Sequence, residues 1–174
     1  MYLVGLGNKD PFYHNTRHNV GKDFIQYCLN GQKMEQNSNI LKAKMDPYEM
    51  LIPICDINLS GQYLKQYISK NNIQLNSLLI IYDDIQINYG YIQFRGQGSA
   101  RGHNALRNIE EIFGTNQYKR IGIGIGPKSS LLSNYVLSKH TEEQRDQIEN
   151  IFIWMKENLS FLLSLTSTTL IKKI

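Results

Sequence analysis

Two periods organise the apolar residues of this chain. "YLVGL" (2–6) is a short unbroken apolar run stopped by "GNKDP", the pattern of a buried strand entering a loop. Val20, Phe24, Ile25, Cys28 and Leu29 then recur at helical spacing, with Asn19 placed as N-cap and Asp23 near the positive end. This predicts a first helix beginning after His18. "NILKAKM" and "YEMLIPIC" predict two strands joined at Asp46-Pro47, and Leu59, Tyr63, Leu64, Tyr67 and Ile68 mark a second amphipathic helix from near Asn58. "SLLIIYDD" is the strongest buried-strand pattern and ends at Asp83-Asp84; "YIQFR" predicts another strand. "GQGSARG" is a loop feeding a helix with Leu106, Ile109, Ile112 and Phe113 inward and Gly114 as its C-cap. "KRIGIGIG" returns as a strand. The last long helix opens at "TEEQ", where Thr141 and Gln144 fit a capping box, and carries Ile148, Ile151, Phe152, Met155 and Leu159 on one face.

Strands alternating with helices imply an α/β fold: a single-domain three-layer sandwich over residues 1–174, with a mixed, mainly parallel twisted sheet flanked by helices. Such sheets place ligands outside the carboxyl ends of their strands, which directs attention to Asn8, Asn58 and Asp83. Composition changes this picture only at the edges. With 41% hydrophobic and 20% charged residues and no low-complexity block, the chain reads as one globular core. A formal charge of +4 favours an anionic partner without identifying it. Cys28 and Cys55 have no ligand spacing and read as buried free thiols of a reducing compartment, the cytoplasm. The start reads as a strand rather than a signal peptide, and "FLLSLTSTTLIKKI" is too short and too rich in Ser and Thr to span a bilayer, so no membrane segment is expected.

Several motifs compete for chemistry. His14 and His18 in "FYHNTRHNVG" have the spacing of two zinc ligands on a helix, but Pro11 opposes a helix there, the following Glu is absent and no third ligand is evident. "GLGNKD" lacks the third glycine of a dinucleotide fingerprint, and "GIGIGIGP" reads as a strand with close backbone approach on one face. Asp83 and Asp84 lack the third carboxylate of a magnesium site. An Asp at a strand end can instead orient an imidazole, which makes His18 and Asp83 a candidate dyad. Asn8 has a plain reading as a turn residue, and Asn58 and Asn104 as N-caps. Their convergence on one sheet edge suits gripping a peptide backbone or a developing oxyanion.

In this order and spacing, "GLGN", "TRHNVG", "NLSG", "YDD" and "GHNALRNI" resemble the bacterial-type peptidyl-tRNA hydrolases, over nearly the whole chain and including "YVLSKHTEEQ". The resemblance implies hydrolysis of the ester joining a peptide to the terminal ribose of tRNA, without a metal or other cofactor, by a monomer. It assigns His18, Asp83 and Asn8 to catalysis and Tyr13, Asn58 and Asn104 to substrate binding. Arg95, Lys119 and Arg120 are expected as tRNA phosphate contacts, with Arg101 and Lys128 in neighbouring segments. The chain departs from the family pattern at four places. Asp56 and Ile57 stand where an aromatic residue and Met usually precede "NLSG", "GNKDP" replaces the Asn-Pro-Gly turn, Gly122 holds a position often taken by a second arginine, and Ser99, Ala100 and Arg101 interrupt a glycine-rich loop. A noncatalytic RNA-binding protein on the same fold and a metal-dependent phosphodiesterase are the competing readings.

Overall fold

The computed structural model describes residues 1–126, 132–166 and 169–174. Along the chain run β1 (Tyr2–Gly5), α1 (Val20–Leu29), β2 (Glu35–Asn37), β3 (Ile40–Met45), β4 (Tyr48–Pro53), α2 (Ser60–Lys70), β5 (Leu78–Asn88) and β6 (Tyr91–Arg95). They are followed by α3 (Asn104–Phe113), β7 (Lys119–Gly126), α4 (Leu132–Val136), α5 (Glu142–Glu157), α6 (Leu159–Ser164) and β8 (Leu170–Lys173). The strands form one sheet in the order β2-β3-β4-β1-β5-β7-β6-β8.

The sheet is mixed, as the pattern implied, but its parallel part is confined to the centre. Strands β4, β1, β5 and β7 run parallel, while β2 and β3 on one flank and β6 and β8 on the other add antiparallel pairs. The antiparallel flanks follow from the short β3–β4 and β5–β6 connections, which leave no room for a crossover helix. Helices α1, α5 and α6 cover one face around Phe24, Ile81, Ile123 and Ile151; α2 and α3 cover the other around Leu64, Ile80, Tyr82 and Leu106. The alternation in "GIGIGIG" is explained by these two faces. Ile121, Ile123 and Ile125 enter the first core, whereas the glycines face a crowded side where a Cβ on Gly124 would lie 2.0 Å from the Asn88 carbonyl oxygen.

The structure corrects several local expectations. Strand β5 runs on to Asn88, so Asp83 and Asp84 lie within it rather than at its end, and β2, α4 and β8 are regular segments with too few periodic apolar residues to be read from sequence. Helix α2 starts at Ser60, after a 3-10 turn over Ile57–Leu59. Asn19 sits at the N-cap position of α1 without a side-chain cap bond, because its Oδ1 accepts from the backbone N–H of Asn8 at 2.8 Å. The last long helix stops at Glu157, so Leu159 belongs to α6 yet remains buried. The capping box at Thr141 and Gln144 is present, and Cys28 and Cys55 are buried free thiols. Among the described residues, no helix is long and apolar enough to cross a membrane.

Gly21 brings α1 down onto the sheet just before the candidate site. A Cβ there would lie 2.1 Å from the Ile81 carbonyl oxygen, two residues before Asp83. Gly21→Ala is therefore expected to destabilise the fold by about 1–3 kcal/mol, the usual range for overpacking, read as a lower urea midpoint. An unchanged midpoint would contradict this close approach.

Candidate active site

Beyond the carboxyl end of β1, beside the continuing β5, the chain encloses a cleft of about 600 Å³. Asp83 forms its floor, because β5 continues past the end of β1 and carries the carboxylate to the sheet edge with 2% exposure. His18 arrives from a 3-10 turn over Arg17–Asn19, and its Nδ1 lies 2.8 Å from Asp83 Oδ1. His103, which the sequence reading gave no role, reaches the same oxygen through Nε2 at 2.9 Å. Its position at the N-cap of α3 explains the direction: the backbone N–H of Leu106 donates to His103 Nδ1 at 3.4 Å.

This network assigns the tautomers. With Nδ1 accepting, neutral His103 carries its proton on Nε2 and donates to Asp83. His18 likewise donates from Nδ1 to the buried carboxylate, which leaves its Nε2 as the basic nitrogen. Burial acts to raise the Asp83 pKa, but the two imidazoles overcome it and hold the carboxyl well below its usual range. For His18 burial acts downward, while the Asp83 charge and hydrogen bond act upward and prevail, so its pKa is raised above 6.5.

The ligating atoms of His18, Asp83 and His103 lie within 4.8 Å of one another, a spacing three metal ligands can have. Their contacts of 2.8 and 2.9 Å are hydrogen-bond lengths. Ligands of a tetrahedral zinc ion with ~2.05 Å bonds would stand about 3.3 Å apart. His14 is exposed and is not among the three residues of this cluster.

The cleft gathers the polar residues expected from sequence. Asn8, Tyr13, Asn58 and Asn104 line it beside His18 and Asp83. Asn8 Oδ1 accepts from the backbone N–H of Ile57 at 3.0 Å, which orients the amide and reserves its Nδ2 donor for the cleft. Asn58 and Asn104 are exposed, and neither caps a helix: Leu59 and His103 hold the N-cap positions. Of the two departures before "NLSG", Ile57 lines the cleft with an apolar side chain and Asp56 is exposed outside its lining.

The expected phosphate contacts require correction. Arg120 is fully buried: its guanidinium meets Glu110 Oε1 at 3.1 Å and Tyr118 Oη at 3.2 Å, and donates to the carbonyls of Gly98 and Asn116. Arg95 is buried against Asp84 at 3.0 Å and Tyr82 at 2.7 Å. Lys119 donates to the Leu163 carbonyl at 2.8 Å. Lys119 and Arg120 pair with Leu79 and Ile80, whereas Asp83 pairs with Ile123. Lys119 therefore starts β7 four residues, or roughly 13 Å, from the level of the site. Sequence proximity concealed this separation. Lys128 lies outside the described residues.

Arg17 is the other residue sequence reading passed over. Buried, it donates to Tyr89 Oη at 2.8 Å, Ser138 Oγ at 2.5 Å, the Lys139 carbonyl at 2.8 Å and Gln144 Oε1 at 2.7 Å. It thereby ties the His18 turn to the segment whose Val136 and Leu137 line the far wall. The same Gln144 completes the capping box of α5. Tyr89 Oη, accepting from Arg17, donates to His140 Nδ1 at 3.0 Å, and burial followed by the Arg17 charge pushes the His140 pKa down to about 4, leaving a neutral acceptor.

Removing the Asp83 charge isolates its effect. By NMR titration His18 is expected to ionise above pH 6.5 in the unmodified protein and below it in Asp83→Asn, where only the lowering effect of burial persists. The same midpoint in both proteins would show that the pair does not govern the imidazole.

The comparisons with known proteins agree with this architecture. The family model described as peptidyl-tRNA hydrolase matches residues 2–174. A protein of Thermotoga maritima named peptidyl-tRNA hydrolase is 34% identical over 168 residues, covering 94% of this chain and 90% of its own length. One of Clostridium perfringens bearing the same name is 31% identical over 158 residues, 87% of this chain and 84% of its own. The crystal structure of peptidyl-tRNA hydrolase from Acinetobacter baumannii superposes with a TM-score of 0.84 at 27% identity, covering 93% of this chain and 87% of that one. With the match running from the first strand to the last and containing every residue of the cleft, this chain belongs to the peptidyl-tRNA hydrolase family.

Proposed function

We propose that this protein hydrolyses the ester between the peptide and the terminal ribose of peptidyl-tRNA, with His18 as a general base that needs no metal. The observation that carries the reading is the hydrogen bond from His18 Nδ1 to Asp83, which leaves Nε2 as the basic nitrogen in a cleft lined by amides. Nε2 removes a proton from water as the water oxygen attacks the ester carbonyl carbon. The imidazolium formed is stabilised by Asp83, itself held by His103. Asn8, with its Oδ1 occupied by Ile57, presents Nδ2 to the water or to the carbonyl oxygen that becomes the oxyanion. Collapse of the tetrahedral intermediate breaks the bond to the ribose oxygen, which takes the proton from His18. Asn58 and Asn104 offer donors and acceptors for the peptide backbone, while Tyr13 and Ile57 supply the apolar wall.

This reading takes residues 1–174 as one catalytic domain, working as a monomer in the cytoplasm. Buried free thiols and a tRNA substrate both suit that compartment.

The test is release of N-acetyl amino acid from N-acetyl-aminoacyl-tRNA with EDTA present. The unmodified protein is expected to turn over, and His18→Ala to lose about 10²–10⁴-fold in kcat/KM, the usual worth of a positioned base. Because His18 must be neutral to act and its pKa is raised, the rate is expected to fall on acidification through a midpoint above pH 6.5. Release abolished by EDTA would require a metal; tRNA binding without release would indicate a noncatalytic RNA-binding protein.

A further inference from the structure

The burial of Arg95 and Arg120 leaves a different cation at the cleft. Three charged residues other than histidine line it among those described: Asp83, Asp84 and Arg101. Asp83 is held by two imidazoles, and Asp84 is neutralised by Arg95 at 3.0 Å. The Arg101 side chain is exposed and has no hydrogen-bond or carboxylate partner among the described residues. Its backbone adds a second observation. Arg101 has φ 49°, in the left-handed region where a residue with a Cβ is strained, and is followed by Gly102 at φ 86°. Gln86 Nε2 donates to the Arg101 carbonyl at 3.3 Å, fixing the turn in which the guanidinium stands at the cleft mouth, two residues before His103. Arg120, at the other end of the sheet, anchors the start of the same loop through the Gly98 carbonyl. The buried arginine thus holds the loop and the exposed one is presented by it.

We propose that Arg101 contacts a phosphodiester of the single-stranded acceptor end of the substrate, close to the scissile ester, and is a specificity-determining residue of this chain. The proposal rests on the hydrolase reading above. A planar guanidinium matches two phosphate oxygens, and placing it on the loop that carries His103 couples recognition of the nucleic-acid strand to the wall of the catalytic cleft.

The experiment compares the unmodified protein with Arg101→Gln and Arg101→Lys on two substrates: N-acetyl-aminoacyl-tRNA and an N-acetyl-aminoacyl ester of adenosine that carries no phosphate. Arg101→Gln is expected to raise KM about five- to tenfold on the tRNA substrate and less than twofold on the adenosine ester. It should also reduce the slope of log affinity against log salt by about 0.7, the value for one single-strand phosphate contact. Arg101→Lys is expected to retain most of that slope. Binding of the acylated tRNA is measured in the His18→Ala background, so the salt slope is obtained whether or not the protein turns over. Failure of the unmodified protein to release product overturns the hydrolase reading. An unchanged salt slope in Arg101→Gln, or an equal KM rise on the ester without phosphate, overturns the Arg101 contact.

Discussion

One buried carboxylate oxygen organises this molecule. Asp83 Oδ1 accepts from two imidazoles that reach it from opposite sides of the sheet edge, His18 ahead of α1 and His103 at the start of α3. An ionised carboxyl this deeply buried would be costly alone, and two nitrogen donors offset that cost. The requirement propagates outward. The strand must extend beyond its neighbour to carry Asp83 to the cleft, α1 must descend closely enough for His18 to meet it, and the 96–102 loop must return His103 to the same point. Gly21 permits the second condition. Gln86 and Arg120 support the third by holding the carbonyls of Arg101 and Gly98.

A second polar network borders the cleft and explains why Arg95 is buried. Tyr82 and Asp84 alternate with Asp83 on β5 and point to the opposite face, where Tyr82 Oη donates to Asp84 Oδ2 at 3.1 Å and both meet Arg95. Gly122 makes space for this group, since a Cβ there would stand 2.8 Å from that of Asp84. An arginine at that position, common in the family pattern, is incompatible with the network as packed. Position 122 is thus closed to a side chain, and Arg101 is the exposed cation that lines the cleft among the described residues.

Periodicity made the main frame legible, because apolar alternation and helical spacing are local properties. The strand-end rule also singled out Asn8, Asn58 and Asp83 before any contact was known, and the Asp83–His18 pair followed from chemistry that needs an acceptor beside an imidazole. What stayed hidden depended on distant partners. His103 read as part of a helix start until Asp83, 20 residues away in sequence, was seen to receive it. Arg17 has no carboxylate to announce it and is satisfied by neutral groups up to 127 positions distant. Arg95 and Arg120 were misread for the converse reason: a run of charge does not disclose which side of the backbone is covered. His103 and Arg17 could have been suspected from adjacency, each lying next to a polar residue already assigned to the cleft.

The claim that Asp83 sets the tautomers of both imidazoles is open to direct observation by nitrogen-15 NMR of the side chains, at a pH where both rings are neutral. The account predicts a proton on Nδ1 of His18 and on Nε2 of His103, with the two remaining ring nitrogens unprotonated. A proton on Nε2 of neutral His18 would contradict it, since the nitrogen assigned as the base would then already be occupied.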